Sequence, residues 1–177
     1  MITIRKEEEK DYGEVFKLIE RAFREIKHSD HQEHFLVEKL RKSEAFIPEL
    51  SLVAENENGI LAGHILFTKL KIESDSETFE SLALAPVSVS PEFQNQGIGG
   101  QLIREGHLIA QRLGNQSVIL IGHENYYPKF GYEKTSNFGI SFPFKIPEEN
   151  GMAIELVKDG LKNKKGMVKY PKEFGID

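Results

Sequence analysis

A glycine-rich turn leads directly into an amphipathic helix in the stretch PEFQNQGIGGQLIREGHLIAQRLGN, which spans residues 91–115. Glycines at positions 97, 99 and 100 allow backbone N–H groups to approach a ligand without side chains in the way. The helix behind them adds the partial positive charge of its N-terminus. The stretch is therefore either a tight turn that simply needs glycine or a loop that binds an anion.

The spacing of the glycines limits which kind of anion-binding loop this stretch can be. A dinucleotide-binding G-x-G-x-x-G is absent, and no Lys-Ser or Lys-Thr follows as in a Walker-type phosphate loop. The pattern is Gln94-x-x-Gly97-x-Gly99, placed after the apolar strand LALAPVSV and before the helix. This context favours a loop that cradles a pyrophosphate, although the six-residue pattern alone has low specificity.

Composition limits the classes of protein. The 177 residues suit one domain, which we divide into a core over about residues 1–145 and C-terminal strands with a tail over 146–177. The net charge of −5 argues against a nucleic-acid partner, and no apolar run is long enough to cross a membrane. Without cysteine there is no disulfide, thiolate metal site or cysteine nucleophile, and we expect no metal. The charged N-terminal stretch MITIRKEEEKDYGEVF lacks the apolar core of a signal peptide, so we expect a cytoplasmic protein.

The predicted elements follow the order β-α-α-β-β-β-α-β-α-β-β, a mixed α/β domain. Apolar spacing predicts a first helix from about Glu8 to Ile26, and SVILI is typical of a buried parallel strand. Asn58-Gly59 predicts a hairpin turn, SDSETFES a loop, and Pro86 an edge or a bulge in its strand. In the helix after the glycine turn, the residues expected to face the core, before a stop at Gly114, are Ile98, Leu102, Ile103, Ile109 and Leu113.

The glycine turn and its neighbours resemble motif A of the GNAT N-acetyltransferase superfamily. A strand ending in VSV is followed by Pro91, by the aromatic Phe93 and by Gln94-x-x-Gly97-x-Gly99. The resemblance extends over most of residues 45–175 and points to a largely uncharacterised bacterial branch of the superfamily.

A second motif supports this resemblance. YYPKFGYE is similar to motif B of the superfamily, since Tyr127 stands four residues before Gly131 and Tyr132 supplies the aromatic that follows. One departure concerns an Asn that many members carry several residues upstream of the motif B tyrosine, because Leu120 stands there in this chain. We assign no equivalent role to Asn125, which lies too close to Tyr127.

The resemblance implies a fold and a cosubstrate. The fold is α/β (α+β), with a mixed, mostly antiparallel central sheet flanked by helices and a splayed parallel strand pair that holds the cofactor. The cosubstrate is acetyl-CoA, with its pyrophosphate on the loop amides and its pantetheine arm along the strand before the loop. The cofactor-binding residues that it implies are Val87, Ser88, Val89, Gln94, Asn95, Gln96, Gly97, Ile98, Gly99 and Gly100.

The implied chemistry is direct attack of a neutral primary amine on the thioester. Tyr127 is the candidate acid that protonates the departing thiolate, or else it is a packed tyrosine with a tethered hydroxyl. The backbone N–H of Val87 is the candidate oxyanion donor. For the general base, His123 has a suitable intrinsic pKa, but a loop histidine with one structural hydrogen bond is the slightly favoured alternative. Glu124, Glu38 and a water chain remain alternatives for the base.

The resemblance leaves the acceptor open: a small metabolite, a peptide N-terminus or a lysine all fit, and either a monomer or a homodimer is compatible with the sequence. A non-catalytic acyl-CoA-binding or sensing module is the alternative function.

Arg104 and Lys129 are further candidates for contacts with the coenzyme's phosphates. His64 is expected to be a surface or half-buried histidine, and the five lysines of KNKKGMVKYPKEFG a solvated loop that runs into a terminal strand.

Overall fold

The computed structural model describes residues 1–176 and shows a mixed α/β fold in which helices flank a mostly antiparallel sheet. The strand order is β1-β2-β3-β4-β5-β8-β6, and β9 pairs with both β3 and β7. This confirms the predicted fold class. The strands are β1 (Ile2–Lys6), β2 (Phe46–Asn56), β3 (Leu61–Glu73), β4 (Thr78–Val89), β5 (Ser117–Ile121), β6 (Glu133–Lys134), β7 (Ile140–Ser141), β8 (Gly151–Glu155) and β9 (Gly166–Lys169), and the helices are α1 (Tyr12–Phe23), α2 (Glu33–Arg41) and α3 (Ile98–Arg112).

Residue contacts divide the chain into two compact units, and the first comprises residues 1–67 and 85–109. In this unit β1 pairs antiparallel with β2, with Ile2 opposite Asn56 and Lys6 opposite Leu52. Helix α1 forms because its apolar residues recur at helical spacing, and it buries Val15, Leu18 and Ile19. The largest fully buried side chains of the unit include Leu40, Leu50, Ile65, Leu66, Phe67, Leu102 and Ile103.

The second unit comprises residues 68–84 and the chain from residue 110 onward. Here β4 and β5 pair in parallel, with Leu82 opposite Val118, as the apolar run SVILI predicted. Strand β5 also pairs antiparallel with β8, which places Ile121 opposite Gly151. The core of this unit consists of Leu70, Ile72, Ala83, Ile119, Ile140, Ala153, Leu161 and Val168. The prediction of a single domain stays a prediction.

Several element boundaries differ from the sequence-based prediction. Helix α1 ends at Phe23, where the last turn tightens. Ile26 is 47% exposed because the polar segment after the helix has no apolar face to bury. The predicted loop SDSETFES is shorter, since β4 already begins at Thr78. In α3, Leu113 is exposed rather than inward because the helix ends at Arg112. Gly114 does end the helix, with a φ of +92° and its N–H donating to the carbonyl of Gln111 at 3.0 Å.

Strand β4 is not an edge strand, although it contains Pro86. It lies between β3 and β5 in the strand order and continues as a strand through Pro86, with the preceding peptide bond cis. From Ala85 onward, the burial of the side chains alternates along the strand: Pro86 and Ser88 are buried, whereas Val87 and Val89 are half-buried. The interpretation of Pro86 as an edge marker is therefore wrong.

A buried polar cluster lies in the first unit and includes His64, which is fully buried rather than exposed or half-buried. The reason is that seven consecutive residues of β3, from Ala62 to Thr68, are buried, so alternation does not bring any of them to the surface. Ser51 Oγ lies 3.1 Å from His64 Nε2 and donates to Glu7 Oε1 at 2.8 Å. Arg41 Nη2 donates to Glu7 Oε2 at 2.7 Å, so the buried carboxylate is paired with a cation.

No helix within residues 1–176 is long and apolar enough to cross a membrane.

Candidate active site

The predicted phosphate loop forms an exposed turn between β4 and α3 in the first unit. Gln94 Nε2 donates to the carbonyl oxygen of Val89 at 3.1 Å, which ties the loop to the end of the strand. Asn95 and Gly97 have φ values of +64° and +80°. Left-handed residues at alternate positions turn successive N–H groups toward a common side, which is the geometry of an anion-binding nest. Glycine suits position 97 because other residues rarely adopt this φ.

Helix α3 begins directly after this loop. Its first intrahelical hydrogen bond runs from the N–H of Gln101 to the carbonyl of Gly97 at 3.1 Å. The amides of residues 98–100 precede that bond and so have no acceptor within the helix. Gly99 and Gly100 are buried in this first turn. The loop and the helix start thus have the N–H donors and the dipole that a pyrophosphate requires.

The last residues of β4 lead into this loop and expose one face. Val87 and Val89 are half-buried, so the face that carries them is not fully covered by the core. Ser88 points the other way: it is 2% exposed, and its Oγ has no hydrogen-bond partner within residues 1–176. A Cβ on Gly63 would lie 3.0 Å from the carbonyl oxygen of Ser88, so glycine on β3 permits this close strand packing. Sequence analysis missed Gly63, which no local motif marks.

Tyr127 lies in the second unit, at the start of a short 3-10 turn over Tyr127–Phe130. Its ring packs edge-on against Tyr126 and Tyr132, with centroid distances of 5.0 and 5.8 Å. Burial raises the pKa of the Tyr127 hydroxyl well above its usual value, and the neighbouring Tyr126 adds to the rise. A phenol with a raised pKa stays protonated at neutral pH, so the Tyr127 hydroxyl is available as a hydrogen-bond donor, although the rise makes it a weaker acid.

Gly122 leaves room for the Tyr127 ring. A Cβ at residue 122 would overlap the ring, with Tyr127 Cδ2 only 2.8 Å away. The N–H of Gly122 donates to the carbonyl of Asn150 at 2.9 Å, and Asn150 Nδ2 donates back to the carbonyl of Gly122 at 3.0 Å. Asn150 also binds Glu124 Oε2 at 2.9 Å. Sequence analysis missed both residues, because only the pairing of β5 with β8 brings Asn150 to this loop.

His123 is on the surface of the same loop, with its side chain 67% exposed. Its Nδ1 accepts a hydrogen bond from the N–H of Asn125 at 3.1 Å and lies 3.9 Å from Glu124 Oε2. A neutral imidazole that accepts at Nδ1 carries its proton on Nε2, so neither nitrogen is free to take up another proton while this bond persists. Hydrogen bonds from the backbone amide of Glu124 and from Asn150 lower the pKa of Glu124, which makes that carboxylate a weaker base.

Two of the remaining candidates lie on helices, whereas Lys129 belongs to the turn that begins at Tyr127. Glu38 is exposed on α2, and Arg104 is exposed on α3. Lys129 Nζ stands 4.4 Å from the ring centroid of Tyr126, as in a cation–π contact. No group of three or more His, Asp or Glu side chains in residues 1–176 is arranged to hold a metal ion.

The structure thus places the predicted residues in two clusters. Val87–Val89 and the loop over residues 94–100 lie in the first unit, and His123 and Tyr127 lie in the second. The roles assigned to these residues stay predictions.

Comparison with known proteins identifies the family. The acetyltransferase (GNAT) domain matches residues 3–135 of the chain. The chain is 38% identical over 141 residues to the uncharacterized N-acetyltransferase YjhQ of Escherichia coli, an alignment that covers 79% of this chain and 75% of YjhQ.

Solved structures agree with the sequence comparison. The crystal structure of the GNAT family N-acetyltransferase YhbS from Escherichia coli, in complex with CoA, matches with a TM-score of 0.88 and 25% identity over 98% of this chain and 92% of that chain. A GNAT family acetyltransferase from Brucella melitensis, in complex with acetyl-CoA, matches with a TM-score of 0.80 and 32% identity over 98% of each chain. The chain belongs to the GNAT acetyltransferase family.

Proposed function

We propose that this protein transfers the acetyl group of acetyl-CoA to a primary amine by direct attack. Two structural relatives that cover almost the whole chain were solved with CoA and with acetyl-CoA. The loop of this chain has the left-handed residues, the exposed position of residues 94–97 and the helix start that a pyrophosphate needs. This loop geometry is the observation that carries the proposal.

In the proposed complex, the amides of the loop and of the first turn of α3 bind the pyrophosphate of acetyl-CoA. The backbone of Val87–Val89 then binds the pantetheine arm on the half-buried face of β4. The N–H of Val87 serves as the donor to the thioester oxygen, where negative charge develops during attack. Because these contacts use backbone groups, the side chains of the strand need no special chemistry.

Acetyl transfer forms one C–N bond and breaks one C–S bond. The lone pair of the neutral amine attacks the thioester carbonyl, and collapse of the tetrahedral intermediate releases the thiolate of coenzyme A. Tyr127 gives its hydroxyl proton to this thiolate and recovers a proton from the amine nitrogen through solvent. The raised pKa keeps the Tyr127 hydroxyl protonated, so it can donate a hydrogen bond to the sulfur as the thiolate forms, although it also makes the hydroxyl a weaker acid.

Deprotonation of the acceptor ammonium proceeds mainly through water in this proposal. His123 is exposed and holds a hydrogen bond at Nδ1, so it contributes as a proton carrier near the surface rather than as a dedicated base. This assignment follows from the side-chain geometry of the loop that carries it.

The decisive experiment is a screen of primary amines with acetyl-CoA. Free thiol is detected in each reaction, and the mass of the acetylated product is determined by mass spectrometry. The proposal expects thiol release that depends on the amine and matches the product formed. A non-catalytic acyl-CoA-binding module predicts tight binding of acetyl-CoA in calorimetry but no amine-dependent thiol release. That second outcome would refute the proposed transfer while leaving the loop assignment intact.

A further inference from the structure

A cavity of about 420 Å³ opens between α1 and α2 in the first unit, apart from the loop and strand described above. Three of its lining residues lie on α1 or just after it, and three lie at the start of α2 or just before it. The side chains are Glu20, Phe23, Arg24, His31, Glu33 and His34. The cavity therefore combines two carboxylates, one guanidinium, two imidazoles and one aromatic ring.

Two polar atoms of the cavity walls are buried without a hydrogen-bond partner among residues 1–176: Glu33 Oε1 and His34 Nδ1. His34 is only 8% exposed, and its ring is held by Phe16 and Phe35 at centroid distances of 4.7 and 4.3 Å. Buried polar atoms in native proteins nearly always have partners, and a missing partner costs free energy. Both atoms can accept a hydrogen bond, so a ligand that donates would satisfy them.

The charged side chains of the cavity determine which kind of hydrogen-bond-donating ligand it favours. Arg24 Nη2 donates to Glu20 Oε2 at 2.7 Å, so this pair is neutral overall. Within residues 1–176, Glu33 forms no ion pair, and the hydroxyl of Ser29 donates to its other carboxylate oxygen. An anion is disfavoured beside Glu33, whereas an ammonium group supplies up to three donors and the opposite charge. The aromatic Phe23 in the wall suits the apolar stem that carries such a group.

Helix α1 links the cavity to the segment that leads into the proposed cosubstrate loop. Arg21, next to Glu20 in the helix, donates to Ser90 Oγ at 2.8 Å and to Glu92 Oε1 at 3.2 Å. Ser90 and Glu92 connect β4 to the glycine loop. The same stretch of α1 therefore lines the cavity and holds the segment that leads into the loop.

We propose that this cavity binds an ammonium group of the acceptor, so that the preferred acceptors carry a second positive charge besides the amine that is acetylated. The substrate class rests on the proposed function, whereas ammonium binding by Glu33 and His34 does not. Glu33 provides the charge, and His34 Nδ1 accepts a further hydrogen bond from the ammonium group.

Calorimetry with butane-1,4-diamine in the presence of CoA tests the binding directly, without catalysis. Glu33→Gln keeps the size of the side chain and the bond from Ser29 but removes the charge. His34→Phe keeps the stacking with Phe16 and Phe35 but removes the ring nitrogen. Glu25→Gln is the matched control, since Glu25 is exposed and does not line the cavity.

We expect Kd for the diamine to rise at least about tenfold in Glu33→Gln and in His34→Phe, because each loses a hydrogen bond to a charged group. The control Glu25→Gln should bind like wild type. Absence of diamine binding by wild type, or an unchanged Kd in folded Glu33→Gln, would overturn the proposal.

Kinetics then test the substrate class. Wild type should use butane-1,4-diamine with a lower KM than butan-1-amine, and Glu33→Gln should lose this preference. Equal KM values for both amines in wild type would refute the preference for a second charge. If no amine yields thiol although the diamine binds through Glu33, the proposed transfer fails and the ammonium site stands.

Discussion

Tyr127 and His123 sit four residues apart in one loop, but their surroundings give them different capacities. The packed ring and raised pKa of Tyr127 keep its hydroxyl protonated and in a fixed position, as a hydrogen-bond donor requires. The exposed ring of His123 is engaged with the backbone of its own loop. We therefore assign protonation of the leaving thiolate to Tyr127 and only a supporting role to His123.

His123→Ala should lower turnover only modestly. Removal of a dedicated acid or base typically costs about 100- to 10,000-fold, and a solvent-exposed proton carrier can be replaced by water or buffer. The measurement is kcat with an accepted amine, with acetyl-CoA affinity from calorimetry as the control. A decrease in kcat of about 100-fold or more at unchanged acetyl-CoA affinity would contradict this expectation and identify His123 as the general base.

The sequence could identify Tyr127 but not what holds it in place. Its motif is local, since Gly131 and Tyr132 follow within five residues. Gly122 and Asn150 act across the pairing of β5 with β8, and neither shows any pattern in its own neighbourhood. The buried position of His64 was missed for a similar reason, because burial of both faces of β3 depends on elements far away in the chain.

At the scale of elements, the loop between β4 and α3 is the part that sequence predicted best. Its glycines, the strand before it and the helix after it all appear where the pattern indicated, because turn chemistry and helix periodicity are local properties. The ends of α1 and β4 were less predictable, since the burial that decides them comes from other elements.

Gly97→Ala should weaken acetyl-CoA binding without unfolding the protein. A Cβ at residue 97 meets no atom within 4 Å, so the only penalty is the φ of +80°, which costs about 1–2 kcal/mol in other residues. Relief of that strain would turn the loop amides away from the pyrophosphate. We expect Kd for acetyl-CoA to rise about tenfold or more, as for the loss of one hydrogen bond to a charged group.

Gly59→Ala provides the matched control for this experiment. Gly59 has a φ of +77°, and a Cβ there also meets nothing within 4 Å. Both variants should lose similar stability in chemical denaturation, whereas only Gly97→Ala should lose acetyl-CoA affinity. Equal affinities of the two variants would speak against the loop as the pyrophosphate site.

Buried histidines make the free energy of unfolding of the whole protein depend on pH. Burial lowers the pKa of His64 from 6.5 to about 4, with Arg41 lowering it further and Glu7 opposing. Between those two pH values the unfolded chain takes up the proton and the folded chain does not. The free energy of unfolding should therefore fall as the pH falls from about 6.5 to 4.

The contribution of His64 to this loss should be on the order of 3 kcal/mol, since each pKa unit corresponds to about 1.4 kcal/mol. Urea denaturation of wild type and His64→Asn between pH 7 and pH 4 measures it. His107, whose pKa burial also lowers to about 4, is present in both proteins, so its effect cancels in the difference. A stability difference that does not change with pH would refute the role given to His64.

In the proposed mechanism this chain transfers acetyl groups, and Tyr127 protonates the leaving thiolate. The most direct test is turnover by Tyr127→Phe with an amine that wild type acetylates, because this change removes only the hydroxyl and keeps the ring packing. A thiol with an intrinsic pKa of about 8.5 leaves moderately well without help, so we predict a loss of about 100-fold in kcat with acetyl-CoA affinity nearly intact. Turnover equal to wild type would contradict the account and make Tyr127 a structural residue.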